Sequence, residues 1–368
     1  MPRKSLMRHV KNIVVKIGTS SITERGKLSA KKIAGFAQDV VTLHNRGYRI
    51  TIVSSGAIAA GAAKLGREKK NLTIPEKQAF AALGQTLLMN EYGKQFAKLG
   101  IKVGQILLTE DDVKHRGRFL NARHTLTALH DMGIIPIVNE NDSVVVKEIK
   151  FGDNDTLSAH VASIINADLL ILLSDIDGFY RDLDDPRPIE HIREITEEVV
   201  RRAGGTGTEY GTGGMATKIY AGRMMIQSGE MMIIARGSEK NVLVRIIEGE
   251  MIGTIFTGGQ KQLSGKKKWI ALMKMKGTVK VDDGASDALV LRKKSLLATG
   301  VIGSEGHFDM GDIIDIADRK GRIIGKGVIN YNYQELNKIM GKKTDEIKAI
   351  LGDTFFNEVI NRDDMIIF

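Results

Sequence analysis

Leu169–Leu173 is five consecutive apolar residues with no polar position among them. A strand with one wet face would alternate, so a run of this kind fits a parallel strand buried on both sides. Other strand-like segments precede it at Asn12–Ile17, Arg49–Val53, Lys102–Leu108 and Ile134–Val138. Helical patterns lie between them. In Lys31–Arg46, Ile33, Phe36, Val40 and Leu43 recur at helical spacing, Ser29 can cap the start and Gly47 stops the run. Further helices are expected near Pro75–Leu99 and Phe119–Met132. Strands alternating with helices of this length predict an α/β fold, an open, mainly parallel sheet covered by helices.

The style changes after Thr257. Gly258–Lys268 is polar, basic and Gly-containing, as an interdomain linker would be. Short β-like pieces follow at Thr278–Val281, Asp312–Ile316 and Ile323–Ile329, then two helical segments near Tyr333–Met340 and Thr344–Leu351. The expected division is a first domain over 1–258, a linker over 259–276, a small β-rich domain over 277–355 and a tail over 356–368.

Composition narrows the chemistry. The 368 residues contain no cysteine, which excludes disulfides, thiol catalysis and Cys-ligated zinc and makes a cytoplasmic site the plain expectation. No apolar run reaches the length of a membrane span, and the basic N-terminal residues lack the features of a signal peptide. The net charge of +10 suggests nucleic acid, but the second domain balances 12 Lys+Arg against 12 Asp+Glu. The excess gathers partly at Arg3, Lys4, Arg8 and Lys11 and at Lys261, Lys266, Lys267 and Lys268, which read as solvated surface.

Four segments place polar groups just past a strand end, the edge where open α/β sheets bind ligands. Lys16 stands inside the apolar strand Val14–Ile17 and is followed by Gly18-Thr19-Ser20, which offers backbone N–H groups and hydroxyls to an anion. Ser54-Ser55-Gly56 turns from a strand into the small-residue stretch Ala57–Gly61, whose helix N-terminus suits a carboxylate or phosphate. Asn139-Glu140-Asn141-Asp142 and Gly152-Asp153-Asn154-Asp155 gather acids and amides that could orient Mg²⁺, hold a substrate ammonium or position lysines. Gly211–Lys218 (GTGGMATK) is a Gly-rich loop opening a helix with a lysine one turn in, unlike a Walker loop, whose lysine directly follows the last glycine. No CxxC or HExxH spacing points to a transition metal.

The set VVKIGTS, VSSGAIAAG, FLNAR, PIVNEND, KFGDND, LLSDIDG and GTGGMATK resembles the amino acid kinase family over residues 10–258, and within it the branch that phosphorylates glutamate. The segment from Gly277 to Ala285, with Gly311-Asp312, resembles a PUA domain, a small β-barrel. The tail carries Asn361 where that branch has histidine. The resemblance implies that ATP and glutamate meet along the sheet edge and that Lys16 and Lys218 stabilise the transferring phosphoryl group, with Asp155 holding both. It also implies that Ser55, Asp142 and Asn154 bind glutamate. Lys16, Ser174, Asp175, Thr212, Gly213, Gly214, Met215, Ala216, Thr217 and Lys218 would bind the nucleotide. It further implies Mg²⁺ with ATP at residues it leaves unassigned, and γ-glutamyl phosphate as product in proline biosynthesis. The partners it implies are proline as feedback inhibitor, a homo-oligomer and a functional association with glutamyl phosphate reductase. RNA binding by the PUA-like domain stays open, and no membrane is involved. Two other readings compete. One is an amino acid kinase for another carboxylate, carbamate or a nucleotide; the other is an RNA-associated binding module, which the neutral second domain disfavours.

Overall fold

The computed structural model describes residues 2–67, 72–144, 154–181, 187–204, 214–258, 270, 273, 275–352 and 356–368; for 114, 116 and 117 it describes the backbone alone. The chain forms two compact units, Met1–Gln262 and Leu263–Phe368.

In the first unit the strands are β1 (Asn12–Ile17), β2 (Thr23–Glu24), β3 (Lys27–Leu28), β4 (Arg49–Ser54), β5 (Lys102–Leu108), β6 (Ile134–Glu140), β7 (Leu169–Ser174), β8 (His191–Ile192), β9 (Met231–Arg236) and β10 (Thr254–Phe256). The helices are α1 (Arg3–Met7), α2 (Thr19–Ile22), α3 (Ala30–Asn45), α4 (Ala57–Lys64), α5 (Ile74–Ala97), α6 (Glu110–Lys114), α7 (Arg116–Asp131), α8 (Asn154–Ile165), α9 (Glu197–Arg202), α10 (Met215–Ser228) and α11 (Val242–Ile247). Among the described residues the main sheet runs β5-β6-β4-β1-β7-β9-β10-β8. The first six strands are parallel; β10 turns antiparallel to β9, and β8 runs with β10. From β1 the chain builds outward through β4, β5 and β6, then returns to the other side of β1 with β7. This reversal makes the carboxyl ends of β4, β1 and β7 the crevice of the sheet.

The expected elements are present, with ends moved by a few residues. All six residues of β7 are buried, the pattern expected of a strand covered on both faces. Ser29 caps α3, its hydroxyl accepting from the Lys32 N–H. Thr73 and Glu76 close a reciprocal capping box at the start of α5. The α7 helix starts three residues before the expected Phe119. Helices α4 and α5 touch through glycines: a Cβ on Gly84 would lie 1.7 Å from the Ala57 carbonyl oxygen, and one on Gly61 would lie 2.0 Å from that of Phe80. Residues 74–84 are therefore helix packed on helix. Within the basic N-terminal cluster, Arg3 departs from the solvated-surface reading. It is buried, and its guanidinium donates to the carbonyls of Glu190, Glu250, Ile252 and Gly253. No described helix is long and apolar enough to cross a membrane.

The second unit holds β11 (Gly277–Val281), β12 (Val301–Gly306), β13 (Ile313–Ala317), β14 (Ile323–Val328) and β15 (Met365–Ile367), ordered β12-β11-β13-β14-β15. Of these neighbours β11 and β13 are parallel, and the other pairs antiparallel. Its core includes Val279, Val281, Ile314, Ile316 and Leu336. The sequence reading did not anticipate the Asp282-capped helix Asp283–Val290 or the strand β12. The stretch set apart as a tail supplies β15, which pairs with β14, and its Val359, Ile360 and Met365 belong to the same core.

Candidate active site

Lys16 lies on β1 between two apolar neighbours, and only 5% of it is exposed. A cation so placed needs a counter-charge. Asp155, the second residue of α8, supplies it: Lys16 Nζ is 2.6 Å from its Oδ1 and Lys218 Nζ is 2.9 Å from its Oδ2. Asp155 is fully buried and Lys218 is 6% exposed. Burial alone would raise the Asp155 pKa, but the charges of Lys16 and Lys218 outweigh it and hold the carboxyl below its ordinary value. The trio thus carries two positive charges against one negative, a net cation at the carboxyl ends of the central strands.

Lys218 is brought there by α10. Gly214 precedes the helix with φ +105° and ψ −152°, a conformation that only glycine adopts readily. Met215, Ala216 and Thr217 then form the first turn. Thr217 Oγ1 lies 3.0 Å from Asp155 Oδ2 and 2.9 Å from the Gly214 carbonyl oxygen, so its single proton is shared between the carboxylate and the turn. The expected nucleotide residues Thr212 and Gly213 lie outside the described residues.

Asn154, beside Asp155 in sequence, faces the other way. Its Nδ2 lies 2.8 Å from the Ser54 carbonyl oxygen, 2.9 Å from Ser55 Oγ and 3.0 Å from Asn139 Oδ1. Asn139 Oδ1 also accepts from the Glu140 N–H at 2.9 Å, and Asn139 Nδ2 donates to Gln85 Oε1 at 2.8 Å. Behind Ser55, the Ser54 hydroxyl meets the Tyr92 phenol at 2.9 Å, and burial pushes that phenol well above its ordinary pKa, so it stays neutral. Asp142 sits half-buried in the turn after β6.

On the far side of β1, Ser174 ends β7 and donates to Asp175 Oδ1 at 3.0 Å. Ser174 is in register with Arg236 of β9, whose guanidinium grips Asp177, with Nη2 3.0 Å from Oδ2. Tyr180 donates to the same carboxylate at 2.9 Å.

The structure therefore joins Lys16, Asp155, Thr217 and Lys218 in one cluster and Ser55 with Asn154 in another. Ser174 and Asp175 share the same strand-end edge. Asn139, Gln85 and the Asp177–Arg236 pair were not singled out as site residues by the sequence. Asn139 stood inside a quoted motif, whereas Gln85 sits mid-helix and carries no sequence signal. Among the described residues no group of three or more His, Cys, Asp or Glu side chains could hold a metal.

Comparison with known proteins shows the family. The model of the amino acid kinase family matches residues 11–236, and that of the PUA domain matches 277–351. A glutamate 5-kinase of Caldanaerobacter subterraneus subsp. tengcongensis is 46% identical over 361 residues, 96% of this chain and 97% of that protein. One from Carboxydothermus hydrogenoformans is 45% identical over 371 residues, 99% of each. The solved carbamate kinase of Giardia lamblia bound to AMP-PNP superposes with a TM-score of 0.50 at 15% identity, covering 68% of this chain and 99% of that one, a likeness of fold. With its kinase motifs on the edge of an open parallel sheet and near-full-length relatives of this kind, the chain belongs to the amino acid kinase family, among the glutamate 5-kinases, and carries a PUA domain.

Proposed function

We propose that this enzyme transfers the γ-phosphoryl group of ATP to the side-chain carboxylate of L-glutamate, giving L-glutamyl 5-phosphate, the first step of proline biosynthesis. The observation that carries the reading is the buried Lys16–Asp155–Lys218 bridge beside the Ser55–Asn154 cluster. A carboxylate oxygen of glutamate attacks Pγ, the bond from Pγ to the bridging oxygen breaks, and ADP departs with that electron pair. No general base is required, since the acceptor is already an anion at neutral pH. Little covalent help is required either, so the protein's part is placement and charge. Lys16 and Lys218 oppose the charge spreading over the transferring group, while Asp155 keeps their two ammonium groups from repelling each other apart. Asp142 and Asn154 hold the amino acid; Ser174, Asp175 and the turn from Gly214 to Lys218 hold the nucleotide. Mg²⁺, entering with ATP, would neutralise phosphate oxygens when bound.

The regulatory part of the proposal is inhibition by proline, which shares glutamate's α-carboxylate and cationic nitrogen but offers nothing to phosphorylate. A homo-oligomer and hand-over of the labile acyl phosphate to a reductase complete it. The test is a coupled ADP-release assay with glutamate, carbamate, aspartate and UMP as acceptors, repeated with proline at several glutamate concentrations. Glutamate alone should support turnover. Turnover with another acceptor and none with glutamate would overturn the substrate reading. Inhibition that persists undiminished at saturating glutamate would overturn the shared proline site.

A further inference from the structure

In-line phosphoryl transfer puts the acceptor and the leaving group on opposite sides of the transferring phosphorus. With the amino acid at Ser55 and Asn154, on the β4 side of Lys16, the departing nucleotide extends the other way, toward β7 and β9. The strand register shows which side chain meets it there. Residues paired across parallel strands point to the same face of a sheet, and so do residues two apart on one strand. Lys16 pairs with Leu172 and Leu172 with Ile234; two residues further on, Ser174 pairs with Arg236. Arg236 therefore stands on the same face as Lys16. Helix α10, which carries Lys218, packs on that face: a Cβ on its Gly222 would lie 2.9 Å from Met232 Cε, and Met232 alternates in phase with Arg236 along β9. Two strand spacings of about 4.8 Å and two residues of about 3.3 Å separate the backbones of Lys16 and Arg236 by roughly 12 Å. The phosphates fill that span before the sugar is reached.

Arg236 is equipped for a neutral ligand rich in oxygen. Its Nε and Nη2 donate to Asp177, and its side chain, 42% exposed, makes no other hydrogen bond among the described residues. The remaining guanidinium donors are open to a ligand. Asp175 and Tyr180 act on the same guanidinium, so two carboxylates face one cation. That balance offers a phosphate little attraction and suits hydroxyl groups. Holding the loop after β7 is not the pair's task. Phe179 is buried, its N–H donates to Thr254 Oγ1 at 2.8 Å, and its carbonyl accepts from the Ile189 N–H at 2.7 Å. The loop is thus anchored to β10 through its own backbone, and an exposed ion pair adds little to that.

We propose, on the glutamate kinase reading above, that Arg236 is a nucleotide-binding residue whose open guanidinium donors bond to a ribose hydroxyl of ATP, with Asp177 fixing the guanidinium in place. The test is the KM of wild type and of Arg236→Ala for ATP, 2′-deoxy-ATP and 3′-deoxy-ATP at saturating glutamate. In wild type, at least one deoxynucleotide should show a KM about tenfold above that of ATP, the effect of losing one hydrogen bond to a charged group. Arg236→Ala should raise the KM for ATP by a similar factor and leave that deoxynucleotide's KM almost unchanged, so that the preference disappears. Its kcat and KM for glutamate should stay within about twofold of wild type. Equal KM values for the three nucleotides in wild type would overturn the proposal without any variant. An unchanged KM for ATP in Arg236→Ala, or a rise of the same size with all three nucleotides, would overturn it as well. A wild type without glutamate-dependent ADP release would overturn the acceptor reading instead; dissociation constants of the three nucleotides, measured by calorimetry without glutamate, would then still decide the role of Arg236.

Discussion

A buried carboxylate between two buried ammonium groups is favourable only while all three are present. Removing one partner leaves charge stranded in a low-dielectric site, at a cost of about 3–5 kcal/mol for a broken buried pair. The three residues do not fail alike. Lys218→Ala leaves Lys16 and Asp155 paired one to one, so the fold should survive while the net positive charge facing the transferring group disappears. We expect kcat to fall by about 10²–10³, as when a single preorganised electrostatic donor is lost, with KM for glutamate changed much less. Steady-state kinetics beside a thermal melt checks this; near-normal kcat would remove Lys218 from the mechanism. Lys16 was legible in the sequence as a charge inside an apolar run, Lys218 as a lysine one turn into a helix opened by a Gly-rich loop, and Asp155 as part of a cluster of acids and amides. Their mutual contact was not, since 139 and 63 residues of chain separate Asp155 from its two partners.

At the scale of elements, the α4–α5 contact shows how a small residue sets the position of a site. Alanine favours a helix over glycine by about 1 kcal/mol, so Gly84→Ala would stabilise α5 in isolation. Here its Cβ would sit 1.7 Å from the Ala57 carbonyl oxygen, and the two helices would have to part. The expected net result is destabilisation by about 1–3 kcal/mol, measured by urea unfolding. A stabilised variant would mean that the helices are free to separate. A second contact, between α7 and β4, carries a pH signature. His130 is hydrogen-bonded to the Thr51 hydroxyl at 2.9 Å, and its pKa is lowered to about 4 by burial first and by Arg49 second. The folded state holds this imidazole neutral while the unfolded chain protonates it near pH 6.5. Between those values the unfolded state binds more protons, so stability falls as pH drops from about 6.5 toward 4. His130→Gln should flatten part of that slope in unfolding curves recorded at pH 7 and pH 5. Parallel pH dependences for variant and wild type would remove His130 from the account.

At the scale of the molecule, each unit has its own sheet and its own core. The described residues of the kinase site all come from the first unit, so the chemistry should not need the second. A chain ending at Gln262 is expected to fold and to retain glutamate-dependent ADP release. A folded, soluble truncation without activity at saturating substrates would show that the PUA domain completes the enzyme. The net charge does not favour RNA as the second unit's ligand, because phosphate-driven binding needs a cationic excess and Leu263–Phe368 sets 18 Lys+Arg against 15 Asp+Glu.

What the sequence determined by itself was periodic or local. Apolar runs specified parallel strands, helical spacing and caps specified the helices around them, and short clusters of Lys, Asp, Asn and Gly marked the strand ends as the reactive edge. These signals are read within a few residues, the range over which backbone geometry and burial pattern repeat. Tertiary structure decided what depended on strand order and helix approach. It returned the chain across β1, set Asp155 between two lysines distant in sequence, buried Arg3 among backbone carbonyls, and drew the 356–368 stretch into the second sheet. It also set Gln85, in the middle of a helix, against the Asn139 amide of β6. An amide's partners, unlike its helix propensity, are chosen by whichever groups packing brings within 3 Å, and that choice is not written in the neighbouring residues.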